Sequence, residues 1–304
     1  MNKRISALIR GVLPVTLSMP LVTVGTLGTL GTLGTLGTMW TVSTMSVTAQ
    51  EPEGQAVKSP PGPIRRTADG RPDLTGFYQS DAGGANYGLE RHDRDFLTPG
   101  TRGVVIDPPD GKLPYQPWAR AERIDRELPY RGYDDPTAHC FVAGVPRSMY
   151  TPSPYQILQP PGYVILLFER MSWRQIPLDG RPHIPDNIRL WQGDSVGHWE
   201  GDTLVVETKN LNGRTWLNEV GEVVSHAETV VERLTPVNSD RLTYRATVTD
   251  PIAYTRPWTI EITLNRQAEE IIEIACKEDD QDLPNLKDVR DAHRAQQQKE
   301  KSVP

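Results

Sequence analysis

The chain has 304 residues, a formal net charge of −6 at pH 7 and two cysteines. No basic patch stands out, so we expect no nucleic-acid partner. The sequence contains no Gly-rich phosphate loop and no cysteine in a CxxC or CxxCH context. It therefore indicates no nucleotide, haem or other cofactor.

Residues 1–49 have the features of a signal peptide. Lys3, Arg4 and Arg10 form a positively charged start, and residues 11–50 carry no charge. Signal peptidases recognise small residues at two positions just before the cleaved bond, and positions 47 and 49 carry small residues. This pattern predicts cleavage after Ala49. We therefore expect a periplasmic or secreted protein with no membrane attachment after cleavage.

A Thr-Leu-Gly triplet repeats between Gly25 and Thr38 and lengthens the uncharged stretch. Each of its glycines costs a helix about 1 kcal/mol relative to alanine, so we interpret the repeat as a low-complexity insert in the signal peptide. The alternative is an uncleaved membrane anchor, since a span needs only about 20 apolar residues.

The first part of the mature chain predicts little regular structure. Residues 50–66 have the composition of a flexible leader. Residues 67–160 are dense in Pro and Gly, and their longest stretch free of both, residues 118–128, predicts a short helix. We expect residues 67–160 to form an irregular wrap over the rest of the chain.

Residues 161–276 have the pattern of a strand meander. Leu242, Tyr244, Ala246 and Val248 alternate with polar residues, as a strand with one buried face requires. Similar short runs separated by turn signals predict strands at residues 163–169, 173–178, 198–200, 203–208, 226–234, 242–250, 258–264 and 270–276.

These runs predict one mostly β domain over residues 67–286. A meander of about seven strands that hides its edges closes into a barrel or folds into a sandwich. Residues 287–304 are charged and Gln-rich, which is typical of a solvated helix or a disordered tail.

Cys140 and Cys276 are the two cysteines of the chain. In an oxidising compartment a lone pair of thiols is bridged more often than free, which predicts a structural disulfide.

Five segments form one combined pattern: RPDLTG at residues 71–76, GVPR at 144–147, GDSVGHWEGDTLVV at 193–206, RTWL at 214–217 and YTRPW at 254–258. The pattern resembles a large family of exported proteins of environmental bacteria, and the resemblance covers about residues 65–286. It implies the exported state and a β-rich, lipocalin-like barrel, but no activity. Where the family has a His-Glu-Gly-Asn-like segment after the second cysteine, residues 277–280 read KEDD. A ligand held by that histidine would lose its partner here.

Two His-x-Glu pairs are the candidate catalytic residues. His198 and Glu200, like His226 and Glu228, lie two positions apart and share a face if they are on a strand. A carboxylate beside an imidazole suits acid–base chemistry. The alternatives are a β-turn at residues 200–203 with His198 partly exposed, and a solvated outer face for the second pair.

His198, His226 and Glu228 are also residue types that bind zinc or iron. No dedicated spacing such as HExxH occurs, so we predict no metal site. Residues 193–197 read GxSxG, but a strand rather than a helix follows, so we do not expect a serine hydrolase.

Three arginines and two tryptophans are the candidate ligand-binding residues. An arginine in a cavity binds a carboxylate or phosphate through two hydrogen bonds, and tryptophans at a barrel mouth suit a flat apolar ligand. The alternatives are loop bracing for each arginine and core packing for each tryptophan. The five residues are Arg147, Arg174, Arg256, Trp191 and Trp258.

Three functions are compatible with these patterns. The leading hypothesis is an exported β-barrel that binds a small, largely apolar molecule in its interior. The second is a periplasmic hydrolase or lyase that uses the His/Glu pairs, and the third is an envelope protein without a ligand. The ligand, the reaction and the oligomeric state leave no signal in the sequence.

N-terminal sequencing of the exported protein should start at Gln50 or within a few residues of it, because the peptidase reads the small residues before that position. Recovery of intact Met1 from the membrane fraction would show an anchor instead.

Overall fold

The protein folds as a nearly closed antiparallel β-barrel. The computed structural model describes residues 61–94, 98–170, 172–276 and 283–301. The predicted mostly β chain with an antiparallel, lipocalin-like barrel is confirmed. The elements are β1 (Gly76–Ser80), β2 (Val105–Asp107), α1 (Pro117–Arg126), β3 (Tyr155–Leu158), β4 (Tyr163–Phe168), β5 (Ser172–Pro177), β6 (Asp194–Glu200), β7 (Thr203–Lys209), β8 (Thr229–Pro236), β9 (Arg241–Thr249), β10 (Trp258–Gln267) and α2 (Leu283–Lys301).

The barrel wall is a meander whose first and last strands pair. The hydrogen-bonded order is β5-β4-β3-β1-β10-β9-β8-β7-β6, and β2 pairs with β10 beyond the end of β1. Every ladder is antiparallel. In a ring with an odd number of strands, one neighbouring pair must run in the same direction. That pair is β5 and β6, and no ladder of described residues joins them.

The contact between β5 and β6, here named the seam, is closed by side chains. An added Cβ on Gly197 would lie 2.8 Å from the Ile176 side chain and 2.9 Å from that of Leu178. Glycine therefore lets β6 approach β5 closely. Parallel neighbours need a long connection, and residues 178–193 supply it.

Alternation along the strands fills the barrel interior. Tyr244 and Ala246 on β9 face Ile262 and Ile260 on β10, and all four side chains are almost fully buried. Tyr78, Tyr155, Ile157, Val206 and Val230 extend this core from other strands, and Leu264 extends it along β10. The interior is thus packed with side chains.

The N-terminal half contributes more to the wall than the sequence predicts. β1 and β3 lie in the segment expected to be irregular, and they join β4 to β10. The strand predicted at residues 270–276 is wrong, because residues 271–275 have no regular structure. The strand predicted from His226 begins only at Thr229.

The two helices pack outside the barrel. The helix predicted at residues 118–128 forms as α1, and the Trp118 indole on it donates to the Ile252 carbonyl at 2.8 Å. α2, in the segment expected to be a helix or a tail, stacks His293 on Tyr130 with ring centroids 3.7 Å apart. Among the described residues, no helix is both long and apolar enough to span a bilayer. The predicted signal peptide lies outside the described residues.

A Cys140–Cys276 disulfide joins the wrap to the chain that follows the barrel. The two Cα atoms are 5.7 Å apart and the cysteines are separated by 136 positions. The predicted bridge is confirmed. Closing a loop of this size stabilises the folded state by about 4–5 kcal/mol in the chain-entropy model.

Alkylation of the folded protein without reductant should label neither Cys140 nor Cys276, since their thiols are joined. Reduction should lower the free energy of unfolding by up to about 4–5 kcal/mol, and the urea midpoint should fall with it. Intact mass and urea unfolding measure these effects, and a Cys140→Ser/Cys276→Ser variant should not respond to reductant. Labelling of both thiols in the unreduced, folded protein would contradict the bridge.

Candidate functional site

A buried ion pair occupies the interior of the barrel. The Arg174 guanidinium on β5 donates to both carboxylate oxygens of Glu232 on β8, at 2.9 and 2.6 Å. It also donates to the Ser195 hydroxyl on β6 at 3.0 Å and to the Thr208 hydroxyl on β7 at 3.1 Å. The Tyr244 hydroxyl donates to Glu232 at 2.9 Å. Arg174, predicted to bind a ligand, is thus satisfied mainly by the protein itself.

The first His-x-Glu pair lies on the barrel's outer surface. His198 Nε2 is 3.2 Å from Glu200 Oε1, and Arg233 donates to the other carboxylate oxygen at 2.6 Å. The His198 side chain is 62% exposed. The pair has the predicted spacing and contact, but both side chains are open to solvent.

The second His-x-Glu pair is split between the surface and the core. His226 is exposed in a turn before β8, whereas Glu228 is 1% exposed. Neither carboxylate oxygen of Glu228 has a hydrogen-bond partner among the described residues. Burial raises the pKa of Glu228 well above its usual value, and the nearby Asp250 carboxylate adds to the effect. Burial at this position therefore favours the neutral form of the Glu228 carboxyl over the carboxylate.

The remaining predicted ligand residues are scattered. Arg147 is buried and donates to both oxygens of Asp135, at 3.0 and 2.9 Å. It borders a cavity of about 70 Å³ beside the disulfide, far smaller than the ~300–1,000 Å³ of typical ligand pockets. Arg256 forms an exposed ion pair with Asp107 at 2.9 Å. Trp258 is a core residue with no exposed surface, as its alternative interpretation predicted.

Trp191, the second tryptophan, packs against Phe141 with ring centroids 4.6 Å apart. It lies in the connection over residues 178–193, next to Gln192. This stack attaches the connection to the segment that carries Cys140.

Ser195 does not have the geometry of a hydrolase nucleophile. Its hydroxyl lies 2.9 Å from that of Thr208 and accepts from Arg174. It stands within strand β6 and not at a strand-to-helix turn. The expectation against a serine hydrolase is consistent with this position.

A cleft of about 380 Å³ opens over one end of the seam. We name it the seam cleft. Arg174 and Ser195 border it from the barrel interior, and Trp173, which is 62% exposed, borders it from outside. Its volume falls within the range of small-molecule sites. The other residues that line it are Tyr163, Gln175, Pro177, Asp179, Arg181, Gln192, Gly193 and Asp194.

Asp194 organises the polar side of the seam cleft. It accepts from Arg181 at 2.6 and 3.2 Å, from the Ile184 amide at 3.2 Å, and its Oδ2 lies 2.8 Å from His183 Nδ1. Burial opposes ionisation, but the hydrogen bonds from Arg181 and His183 hold the pKa of Asp194 below its usual value. The cleft therefore presents a fixed carboxylate and a fixed guanidinium.

Several residues of the seam cleft were not among the sequence candidates. Asp194 lies inside the GDSVGHWEGDTLVV motif, so the motif was the available signal. Arg181, His183 and Gln192 come from the long connection and carry no periodicity that marks them. The seam unites these residues because β5 and β6 have no common ladder.

Within the described ranges, no group of three or more His, Cys, Asp or Glu side chains is arranged to hold a metal ion. Comparisons with protein-family models, curated proteins and solved structures gave no match. The family resemblance of the motif segments therefore stays a prediction.

Glu228→Gln should remove a pH-dependent loss of stability. The unfolded carboxyl loses its proton near its ordinary pKa of 4.5, whereas the folded one keeps it to a higher pH. The free energy of unfolding therefore falls as the pH rises from about 4.5 towards the raised pKa. Glutamine cannot ionise, so the variant should melt at least ~2 °C higher near pH 7, which corresponds to about 1 kcal/mol.

Thermal unfolding over a pH series measures this difference. Glu270→Gln, at an exposed position, is the matched control and should follow the unsubstituted protein. If Glu228→Gln melts below the unsubstituted protein at every pH, Glu228 must have a partner that glutamine cannot keep.

Proposed function

We propose that this chain is an exported β-barrel protein that binds a small molecule in the seam cleft. The observation that carries the proposal is the cleft of about 380 Å³ between two strands that lack a ladder. Both the interior and the outer face of the wall contribute side chains to it. A gap of this kind gives a ligand access to polar groups that a complete ladder would cover.

The side chains of the cleft favour a ligand with one flat face and one polar edge. Trp173 offers an exposed ring for stacking. Gln192, Asp179 and Arg181 offer donors and acceptors at the rim. The packed interior argues against the small, largely apolar ligand that the sequence predicts inside the barrel, since core side chains already occupy that space.

Export to the periplasm or the outside is part of the proposal. The Cys140–Cys276 bridge suits an oxidising compartment, where such bonds persist. The charged start and the uncharged residues 11–50 support the same conclusion. An acid–base enzyme has less support, because His198 and Glu200 lie on an open surface, and His226 is exposed whereas Glu228 is buried.

Trp173→Ala should strongly reduce retention of the natural ligand. The exported full chain is purified and denatured, and the released small molecules are identified by untargeted mass spectrometry. Loss of about 1.4 kcal/mol of ring contact lowers the affinity about tenfold, and the retained amount should fall accordingly. Trp118→Ala, which removes an exposed tryptophan of α1, is the matched control and should retain the ligand.

A molecule that is retained equally by the unsubstituted protein and by both variants would place the site elsewhere. Absence of any stoichiometric molecule from the unsubstituted protein, after purification from its native compartment, would count against a binding function.

A further inference from the structure

A second cleft, here named the α1 cleft, lies between α1 and residues 88–92. Its volume is about 210 Å³, and it shares no lining residue with the seam cleft. Arg120, Arg123, Ile124 and Glu127 of α1 form one wall. Gly88, Glu90, Arg91, His92, Lys112, Tyr115 and Glu222 form the remainder.

The rim of the α1 cleft has more cationic groups than it has acidic partners. Lys112 pairs with Glu90 at 2.8 Å, and Arg123 pairs with Glu127 at 3.0 Å. Arg91 and Arg120 line the same cleft and form no ion pair with any residue in the described part of the chain. Two guanidinium groups are therefore available to an anion.

The floor of the α1 cleft contains buried polar groups that lack partners. The Tyr115 hydroxyl and His92 Nε2 are buried without a hydrogen bond to any described residue. Glu222, which is 2% exposed, accepts from the Leu89 amide at 3.2 Å and from the Asn218 side chain. Such groups are costly in a closed core and useful at a binding site, because a ligand can supply the missing partner.

An apolar surface adjoins the cationic groups. Ile124, on the α1 wall, is an apolar side chain that is 58% exposed. The Tyr115 ring lies across the same cleft and packs on Tyr254 with centroids 5.1 Å apart. The cleft therefore combines a basic rim with an apolar wall.

We propose that the α1 cleft binds a small organic monocarboxylate. The carboxylate is held by the guanidinium groups of Arg120 and Arg91, and the apolar body lies against Ile124 and Tyr115. Guanidinium groups bind carboxylates through paired, charge-assisted hydrogen bonds. This site does not depend on the function proposed for the seam cleft.

Glu222 makes the binding sensitive to pH. Burial raises the pKa of Glu222 to about 7, although Arg123 and the Leu89 amide oppose the rise. Below that pH the carboxyl is neutral and does not repel a bound anion, so affinity should fall as the pH rises through about 7. The charged or titratable groups that face Glu222 are Arg123, Glu90, His92, Tyr115, Tyr150 and Tyr254.

Benzoate is a suitable probe, because it joins one carboxylate to a flat apolar ring. We expect calorimetric titration of the full chain below pH 7 to show benzoate binding and no binding of benzamide, its uncharged analogue. Arg120→Gln should weaken benzoate binding at least about tenfold, a loss of about 1.4 kcal/mol. Arg120 is exposed, so the variant should keep the melting temperature of the unsubstituted protein.

Arg241→Gln is the matched control, because it removes the same charge from an exposed position on β9. It should leave benzoate affinity unchanged. Equal affinities for Arg120→Gln and Arg241→Gln, or equal binding of benzoate and benzamide, would overturn the proposal. Affinity that does not change between pH values well below and well above 7 would overturn the role of Glu222.

Discussion

The contact between Arg174 and Glu232 is the interaction on which the barrel most depends. One guanidinium and one carboxylate, both almost fully buried, join side chains from β5, β6, β7, β8 and β9. Removal of one partner from such a pair costs about 3–5 kcal/mol, because a charge stays buried without compensation. The pair is also directional, so it fixes the register of β5 against strands to which no ladder connects it.

The odd number of strands explains why the barrel needs this contact. Nine strands cannot all be antiparallel to both neighbours, and β5 and β6 are the pair that run in the same direction. Arg174 and Gly197 close their seam through side-chain contacts where the ladder is missing. The same break leaves room for the seam cleft. Stability and the candidate site thus have one geometric origin.

The wrap protects the barrel at the end where α1 lies. There the Trp118 indole and the Gln116 amide of the wrap donate to the Ile252 and Ala253 carbonyls. In the same loop, the Asp250 carboxylate accepts from the Ser225, Ile252 and Ala253 amides. Beside it, the Glu228 carboxyl has no hydrogen-bond partner among the described residues, and burial raises its pKa. Tyr115 and Glu222 continue this group of buried polar side chains to the α1 cleft. Buried polar groups that lack hydrogen-bond partners are costly in a closed core, whereas a bound ligand can supply the missing partners. This end of the barrel is therefore better suited to binding than to core packing.

Residues with strong periodicity were assigned correctly from the sequence. β9 alternates over its whole length and β10 from Trp258 to Leu264, because one face of each strand is in the core. β1 and β3 are short and lie among Pro and Gly, so no repeat revealed them. Residues 270–276 contain β-forming residues, but β10 already pairs with β9 on one side and with β1 and β2 on the other. No neighbouring edge was left for a further strand there.

The sequence by itself determined the mostly β class, the meander and the disulfide. Alternation is visible within each strand, and two cysteines allow only one pairing within the chain. Only the tertiary structure decided the sites. The two-residue spacing of His226 and Glu228 predicts a shared face, yet a turn places one in solvent and the other in the core. Arg174 lies in the core, where it pairs with Glu232, and the seam cleft is lined by Arg181, Asp194 and Gln192. Their proximity arises from closure of the ring, which joins positions that no local pattern relates.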